Sequence, residues 1–510
     1  MTAMSSGGRP NVLLIMVDQL AAQWLPAYGH EVVRAPNLTA LAARTVVFDA
    51  AYCASPLCAP SRAALMSGRR ASAIDVFDNA AELRASVPTL AHHLRAAGYS
   101  TCLSGKMHFV GPDQLHGFER RVTTDVYPAA LDWTPDWTRP VADRLSWYHS
   151  VHSVTEPART VASMQTDYDD EVAFHAVRHL HDLARSDPER PFLLVASFTN
   201  PHDPWEVPPR YWDLYDPESI GLPAVAKIPL EQADPHSRRL REMSAIDEVE
   251  LTEEQIRLAR HAYYAAISYV DERIGDVLSA LRDTGHDEDT VIVFTADHGE
   301  FLGERGLWYK MSFLEPAARV PLLVGGPGLP AGARVSEPVS LIDVAPTLAE
   351  LTHTGAGGGD WDGESLAGLL SGGSAGARGP VVCEYHAEGV NAPAAMIRDG
   401  RHKLIVCAGD PDQLFDVEAD PNELSDLAGI PEHAGTVQRL RAALADRLDL
   451  AELERRVLAS QRERHLVALA LAQGEVTAWD HQPYVDASEK YVRTREDLYE
   501  LQRIARLDAR

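Results

Sequence analysis

Residues 58–62 read Cys-Ala-Pro-Ser-Arg, and Cys-x-Pro-x-Arg is the spacing at which a cysteine is oxidised to formylglycine, exchanging a thiol for an aldehyde. A hydrated aldehyde carries two hydroxyls, one to attack an electrophile and one to expel the product afterwards. Simpler readings fit the same residues. Pro60 suits the first turn of a helix continuing through Arg62, Ala63, Ala64, Leu65 and Met66 to a stop at Gly68. A helix N-terminus lowers a thiol pKa, so Cys58 also reads as a thiolate nucleophile or as an ordinary buried thiol.

Any such chemistry needs partners brought to Cys58 by the fold. Four apolar runs end abruptly in polar residues: Val12 to Val17 before Asp18, Thr101 to Leu103 before Lys106, Phe192 to Phe198 before His202, and Val291 to Phe294 before Asp297. Runs without period-two alternation suit strands buried on both faces, and in open α/β sheets ligands collect beyond the carboxyl ends of the strands. Asp18, Lys106, His202 and Asp297 are therefore expected along one edge. Carboxylates there suit a hard divalent cation. Helical segments fall between the runs, one starting at Pro36 and Asn37, another from Thr252 to Thr284 with Thr252 and Gln255 as a capping box and Gly285 as stop. This alternation predicts an α/β fold, a large mixed, mostly parallel sheet sandwiched by helices.

Glycines 355, 357, 358 and 359, then 372, 373, 376 and 379, mark a composition shift and a boundary near residue 370. Beyond it Val381 to Tyr385, Ala395 to Ile397, Lys403 to Val406 and Gln413 to Phe415 read as a small antiparallel sheet, and Thr436 to Leu471 as mostly helical. The expected organisation is a catalytic domain 1–370, a small-sheet and helical subdomain 371–470, and a tail 471–510 packing on a neighbouring subunit.

A formal charge of -27 argues against nucleic acid and anionic membranes as partners, and a small anionic substrate would require a local basic pocket. The run Val12 to Val17 is too short for a signal core or a membrane span, which leads us to expect a cytoplasmic protein. Five cysteines without CxxC spacing indicate no disulfide framework.

The Cys58–Arg62 motif with Leu65-Met66-Ser67-Gly68, the segments SGKMH (104–108) and NPHDP (200–204), and TADHGEFLGERGLWYK (295–310) together resemble the type I sulfatases of the alkaline phosphatase superfamily. Segments 101–119 and 123–137, with the C-terminal tail, resemble the choline sulfatase branch. The resemblance implies an alkaline phosphatase-like fold, hydrolysis of choline O-sulfate, and conversion of Cys58 by a formylglycine-generating enzyme. It implies one divalent metal on Asp18, modified Cys58, Asp297 and His298, with sulfate bound by Arg62, Lys106 and Lys310. His108 would assist sulfate elimination and His202 protonate the leaving group. Gln19 and His298 stand where the commoner pattern has Asp and Asn, leaving one fewer carboxylate; calcium is the first expectation, manganese or magnesium the alternatives. A quaternary ammonium donates no hydrogen bond and needs aromatic faces and carboxylates, for which Trp133 is the aromatic candidate. Asn79, His149 and Glu388 join it by resemblance, with Asp497 reaching in from a neighbouring subunit of a dimer or tetramer. Two alternatives are a phosphonate monoester or phosphodiester hydrolase using the same aldehyde and metal, and a non-catalytic choline-ester binding protein in which Cys58 stays a thiol.

Overall fold

A computed structural model describes residues 9–127, 130–131, 133–141, 151–354, 359–373 and 378–475. The four apolar runs are the central strands: β1 Asn11–Val17, β3 Ser100–Gly105, β5 Phe192–Ser197 and β6 Thr290–Ala296, each buried along its whole length. With β2 Val46–Phe48, β4 Arg120–Arg121, β7 Leu322–Gly325 and β8 Arg334–Val335 they make an eight-stranded sheet ordered β8-β2-β7-β6-β1-β5-β3-β4. The strands from β6 to β4 run parallel, while β7 is antiparallel to both of its neighbours. Residues buried on both faces cannot alternate in polarity, which is why these strands read as continuous apolar runs.

Register decides what meets at the carboxyl edge. Val17 pairs with Ala296, Met16 with Ser197 and Ser197 with Gly105, so the next residues of each strand emerge side by side. Gly105 is required there: at φ +112° a Cβ would lie 1.9 Å from the Ser197 carbonyl oxygen, so only glycine lets the chain turn and present Lys106.

Helix α1, Pro36–Ala42, begins with proline in its first turn. Helix α2, Cys58–Ser67, ends at Gly68 in the left-handed conformation. The long helices α3, Met164–Ser186, and α4, Glu253–Asp283, pack on one another. The expected Thr252–Gln255 capping box forms.

The small antiparallel sheet is β9 Val381–Tyr385, β10 Ala394–Asp399, β11 His402–Cys407 and β12 Gln413–Asp416 in sequential order. Val382, Ile397, Leu404 and Leu414 form a separate core with Leu440 and Leu444. The stretch from Thr436 to Leu471, expected to be mostly helical, is two helices, α5 Ala434–Ala445 and α6 Leu450–Leu471. Asp449 breaks it by capping the second, its Oδ1 accepting from Ala451 N at 3.1 Å and Glu452 N at 3.0 Å. Met1–His465 forms one compact unit, and Leu466–Arg510 is assigned to a second. No helix among the described residues is long and apolar enough to cross a membrane.

A buried ion cluster joins the small sheet to the loop after Lys310. Lys403 Nζ on β11 lies 2.8 Å from Glu315 Oε1 and 2.5 Å from Glu423 Oε1, and donates to the Phe313 carbonyl at 2.8 Å. Burial lowers the Lys403 pKa, but Glu315 and Glu423 outweigh it and hold the group above its ordinary 10.5. Its contribution to stability is thus complete below that pH and is lost as pH rises through the elevated value. Lys403→Ala leaves buried Glu423 without its cation and Glu315 with only Arg319 at 3.2 Å and Arg398 at 3.9 Å, and should lower unfolding free energy by about 3–5 kcal/mol in urea titrations at pH 7; a loss below about 1 kcal/mol contradicts the role given to this cluster.

Candidate functional site

The site begins with Arg62, one turn into α2 and completely buried. Its Nε donates to Asp297 Oδ2 at 2.7 Å and Nη2 to Asp18 Oδ2 at 3.2 Å, while Nη1 donates to the Lys106 carbonyl at 2.7 Å and to Ser197 Oγ at 2.8 Å. One guanidinium therefore ties the carboxyl ends of β1, β3, β5 and β6 to α2. Ser61 Oγ adds a bond to the Asp297 carbonyl at 2.6 Å, and Asn79 Oδ1 accepts from Ala59 N at 2.9 Å, satisfying a donor at the start of α2.

Arg62 also sorts the carboxylate oxygens. Asp18 and Asp297 each give Oδ2 to Arg62, and their Oδ1 atoms lie 3.6 and 3.7 Å from His298 Nε2. The Cys58 Sγ is 3.2 Å from His298 Nε2 and 3.9 Å from Asp18 Oδ1. Asp18, Cys58, Asp297 and His298 thus offer one ligand atom each, all within 4.8 Å of one another. His298 Nδ1 sits 3.1 Å from the Gly299 carbonyl, which fixes the ring with Nε2 toward the cluster. Two carboxylate oxygens, an imidazole nitrogen and an oxygen in place of Cys58 Sγ suit a divalent cation.

Charge is dense here. Burial raises the Cys58 pKa, yet Lys106, Lys310 and His298 outweigh it and hold the thiol well below its ordinary value. Asp18 is likewise held low, because Lys106, His202 and Arg62 overcome burial and the repulsion of Cys58. Burial depresses Lys310, but Cys58, Asp18, Asp203 and Asp297 raise it further, so the ammonium stays charged.

Lys106 Nζ pairs with Asp18 Oδ2 and lies 4.1 Å from the centre of the Tyr127 ring. Lys310 Nζ donates to Gln19 Oε1 at 2.6 Å and is 2.8 Å from His202 Nε2. The His202 loop is held from below by buried Asp169 on α3, which accepts from Thr199 N at 2.6 Å and from Asn200 N and Nδ2 at 2.9 and 2.8 Å. His108, with φ 56°, places its ring against Tyr127 and edge-on to Trp133 at 5.6 Å.

Trp133 is the link to a second space. It contacts Tyr127 at 5.5 Å between ring centres and lines a cavity of about 540 Å³ together with Trp137, Met243, Glu388, Asn391 and Gln461. Trp133 and Glu388, expected to act together, therefore border one volume. Asn79 is placed at the start of α2, whereas His149 and Asp497 lie outside the described residues.

Residues 10–354 match the sulfatase family model, 303–449 that of the C-terminal region of N-sulphoglucosamine sulphohydrolase, and 455–507 that described as choline sulfatase enzyme C terminal. The chain belongs to the sulfatase family. Among curated sulfatases, the choline-sulfatase of Rhizobium meliloti (strain 1021) is 46% identical over 500 residues, covering 96% of this chain and 97% of that protein. Arylsulfatase K of Danio rerio is 31% identical over 467 residues, covering 87% and 85%. Among solved structures, the phosphonate monoester hydrolase of Agrobacterium radiobacter superposes with a TM-score of 0.69 at 28% identity, covering 86% of this chain and 96% of that one.

Sequence reasoning placed the ends of β1, β3, β5 and β6 and the residues they deliver, assigned nothing to Tyr127 or Asp169, and gave Glu300 no role beyond its place in the turn of candidate metal ligands after β6. Tyr127 comes from a segment without periodicity, and no local signal marks it; Glu300 stood inside the Asp297–Glu300 turn, where a second carboxylate was the available cue. The arrangement of this sulfatase site rests on a fork that lysine lacks. Arg62→Lys should lose at least two of the four hydrogen bonds and lower unfolding free energy by about 3 kcal/mol, read by chemical denaturation; unchanged stability contradicts the joining role.

Proposed function

We propose that the protein is a sulfuric ester hydrolase that converts choline O-sulfate to choline and inorganic sulfate. The observation that carries this is the coincidence of two features: a Cys58-centred cluster of Asp18, Asp297 and His298 ringed by Arg62, Lys106 and Lys310, and next to it a cavity bordered by Trp133 and Glu388. Near-full-length similarity to a choline-sulfatase and the C-terminal family match support the same reading.

In this reading a formylglycine-generating enzyme converts Cys58, and the Sγ position marks where the oxygens of the hydrated aldehyde stand. One divalent cation, calcium in preference to manganese or magnesium, would be held by Asp18, Asp297, His298 and modified Cys58. When bound it lowers a hydroxyl pKa and polarises the sulfuryl group. Arg62, Lys106 and Lys310 neutralise the sulfuryl oxygens, a stabilisation worth more in a site this buried than in water. A hydroxyl on residue 58 attacks sulfur while His202 gives a proton to the departing alcohol oxygen. His108 then takes the proton of the remaining hydroxyl, so that sulfate leaves and the aldehyde is restored. Trp133 presents an aromatic face and Glu388 a carboxylate to the quaternary ammonium, with Asn79 and His149 beside them. We read 1–370 as the catalytic domain, 371–470 as a supporting subdomain, and 471–510 as a tail through which a cytoplasmic homo-oligomer, dimer or tetramer, brings Asp497 to a neighbour's site.

The 28% identical phosphonate monoester hydrolase favours a second reading, the same machinery acting on phosphonate monoesters or phosphodiesters. Comparing kcat/KM separates the two. Choline O-sulfate should exceed both p-nitrophenyl sulfate and a phosphonate monoester by roughly 100-fold, because binding energy at the ammonium is spent in the transition state. Preference for the phosphonate establishes the second reading. Binding of choline O-sulfate in a calorimeter without sulfate release would establish a non-catalytic protein. Prolonged chelation should abolish turnover, and addition of a single divalent metal should restore it; full activity of metal-free protein contradicts the metal assignment.

A further inference from the structure

Gln19 and Glu300 are both fully buried between the metal-type cluster and Lys310, and the proposed reaction gives neither a role. The Gln19 backbone is fixed on both sides: its N–H donates to Asp297 Oδ1 at 3.1 Å and its carbonyl accepts from Tyr263 OH at 2.7 Å, with φ held at 62°. What remains is which end of its amide faces which neighbour. Nε2 donates to Glu300 Oε2 at 2.7 Å and Asp203 Oδ1 at 3.2 Å, and Oε1 accepts from Lys310 Nζ at 2.6 Å. The reverse orientation would set an NH₂ against an ammonium and a carbonyl oxygen against two carboxylates. Glu300 is itself oriented, since Oε1 accepts from Leu302 N at 2.7 Å and Tyr309 N at 2.8 Å, leaving Oε2 for Gln19. The bond to Tyr309 N also fixes the backbone just before Lys310.

We propose that Glu300 is a positioning residue: it sets the polarity of the Gln19 amide, which holds the Lys310 ammonium beside His202 at the place where the sulfate ester binds. The inference rests on the reading of Lys310 as a sulfate-binding group. It also explains why the chain carries glutamine at position 19. An aspartate there would put a third carboxylate beside Asp203 and Glu300 and would lack the donor that both of them use.

The test uses the metal-loaded enzyme with converted Cys58. Glu300→Gln keeps the shape and the oxygen that accepts from Leu302 and Tyr309, but turns an NH₂ toward Gln19. The Gln19 amide then either opposes that NH₂ with its own or turns over against Asp203 and Lys310, and in both cases its hold on the ammonium weakens. We expect kcat/KM for choline O-sulfate to fall roughly 30-fold and inorganic sulfate to inhibit about tenfold more weakly, the scale of one hydrogen bond to a charged group. Gln19→Glu combined with Glu300→Gln gives up the bond to Asp203 Oδ1 but restores an acceptor facing both the amide and the ammonium, and should recover about tenfold of the loss. In a Lys310→Met background, Glu300→Gln should change kcat/KM less than about twofold, because the group it positions is gone.

The proposal is overturned if E300Q stays within about twofold of the parent, if Q19E/E300Q is no more active than E300Q, or if E300Q costs as much without Lys310 as with it. Should E300Q fail to fold, Q19E/E300Q carries the test alone: activity within about tenfold of the parent supports the proposal and a loss beyond about 100-fold contradicts it. If the unaltered enzyme releases sulfate from no ester, the reading of the reaction fails; if it does and E300Q matches it, only the role of Glu300 fails.

Discussion

The guanidinium of Arg62 is the contact on which the site depends. Four strands end at one edge with two carboxylates among their terminal residues, and burying Asp18 and Asp297 a few ångströms apart is unfavourable without a cation between them. Arg62 supplies it from α2 and gives Nη1 to the Lys106 carbonyl and Ser197 Oγ. Because Arg62 sits four residues after Cys58, one helical turn, the same bond that neutralises the edge fixes where the cysteine lies above it.

Several features follow from that placement. Each aspartate gives Oδ2 to Arg62 and turns Oδ1 toward His298, that of Asp18 also facing Cys58 and that of Asp297 held by the backbone N–H groups of Gln19 and His298. Lys106 and Lys310 then add two ammonium groups close enough to Cys58 to hold its thiol pKa low, within a protein whose formal charge is -27. Specific groups, rather than the overall charge, prepare the site for an anion. Tyr127 stands at the border, its ring under Lys106 and against Trp133, so the charged pocket and the roomier aromatic cavity share a wall. Reaction and selectivity are assigned to adjoining but different residues.

The parts of this design written in continuous sequence were readable from it. Buried parallel strands appear as apolar runs, and the residue ending each run is fixed by the next peptide, so Asp18, Lys106 and Asp297 could be placed without coordinates. The capping box at Thr252 and the stop at Gly68 are likewise local signals. The four short strands of the second sheet were legible too, because apolar pairs alternate with turn residues. What was not legible depends on distance through space. Tyr127 reaches the site from an irregular loop, and the bond from Asn79 to the start of α2 joins segments with no shared pattern. The polarity of the Gln19 amide is decided by Glu300, 281 residues away in sequence. The break between α5 and α6 carries no local signal of its own, because an aspartate inside a helical pattern becomes a cap only when the chain turns there.

The central claim is that residue 58 works as an aldehyde made from cysteine, and mass spectrometry of the peptide spanning Cys58 from active enzyme tests it most directly. The account predicts that the peptide has lost its sulfur and gained a carbonyl that reacts with hydrazide reagents, in proportion to specific activity. An intact, alkylatable Cys58 thiol in fully active protein would contradict it.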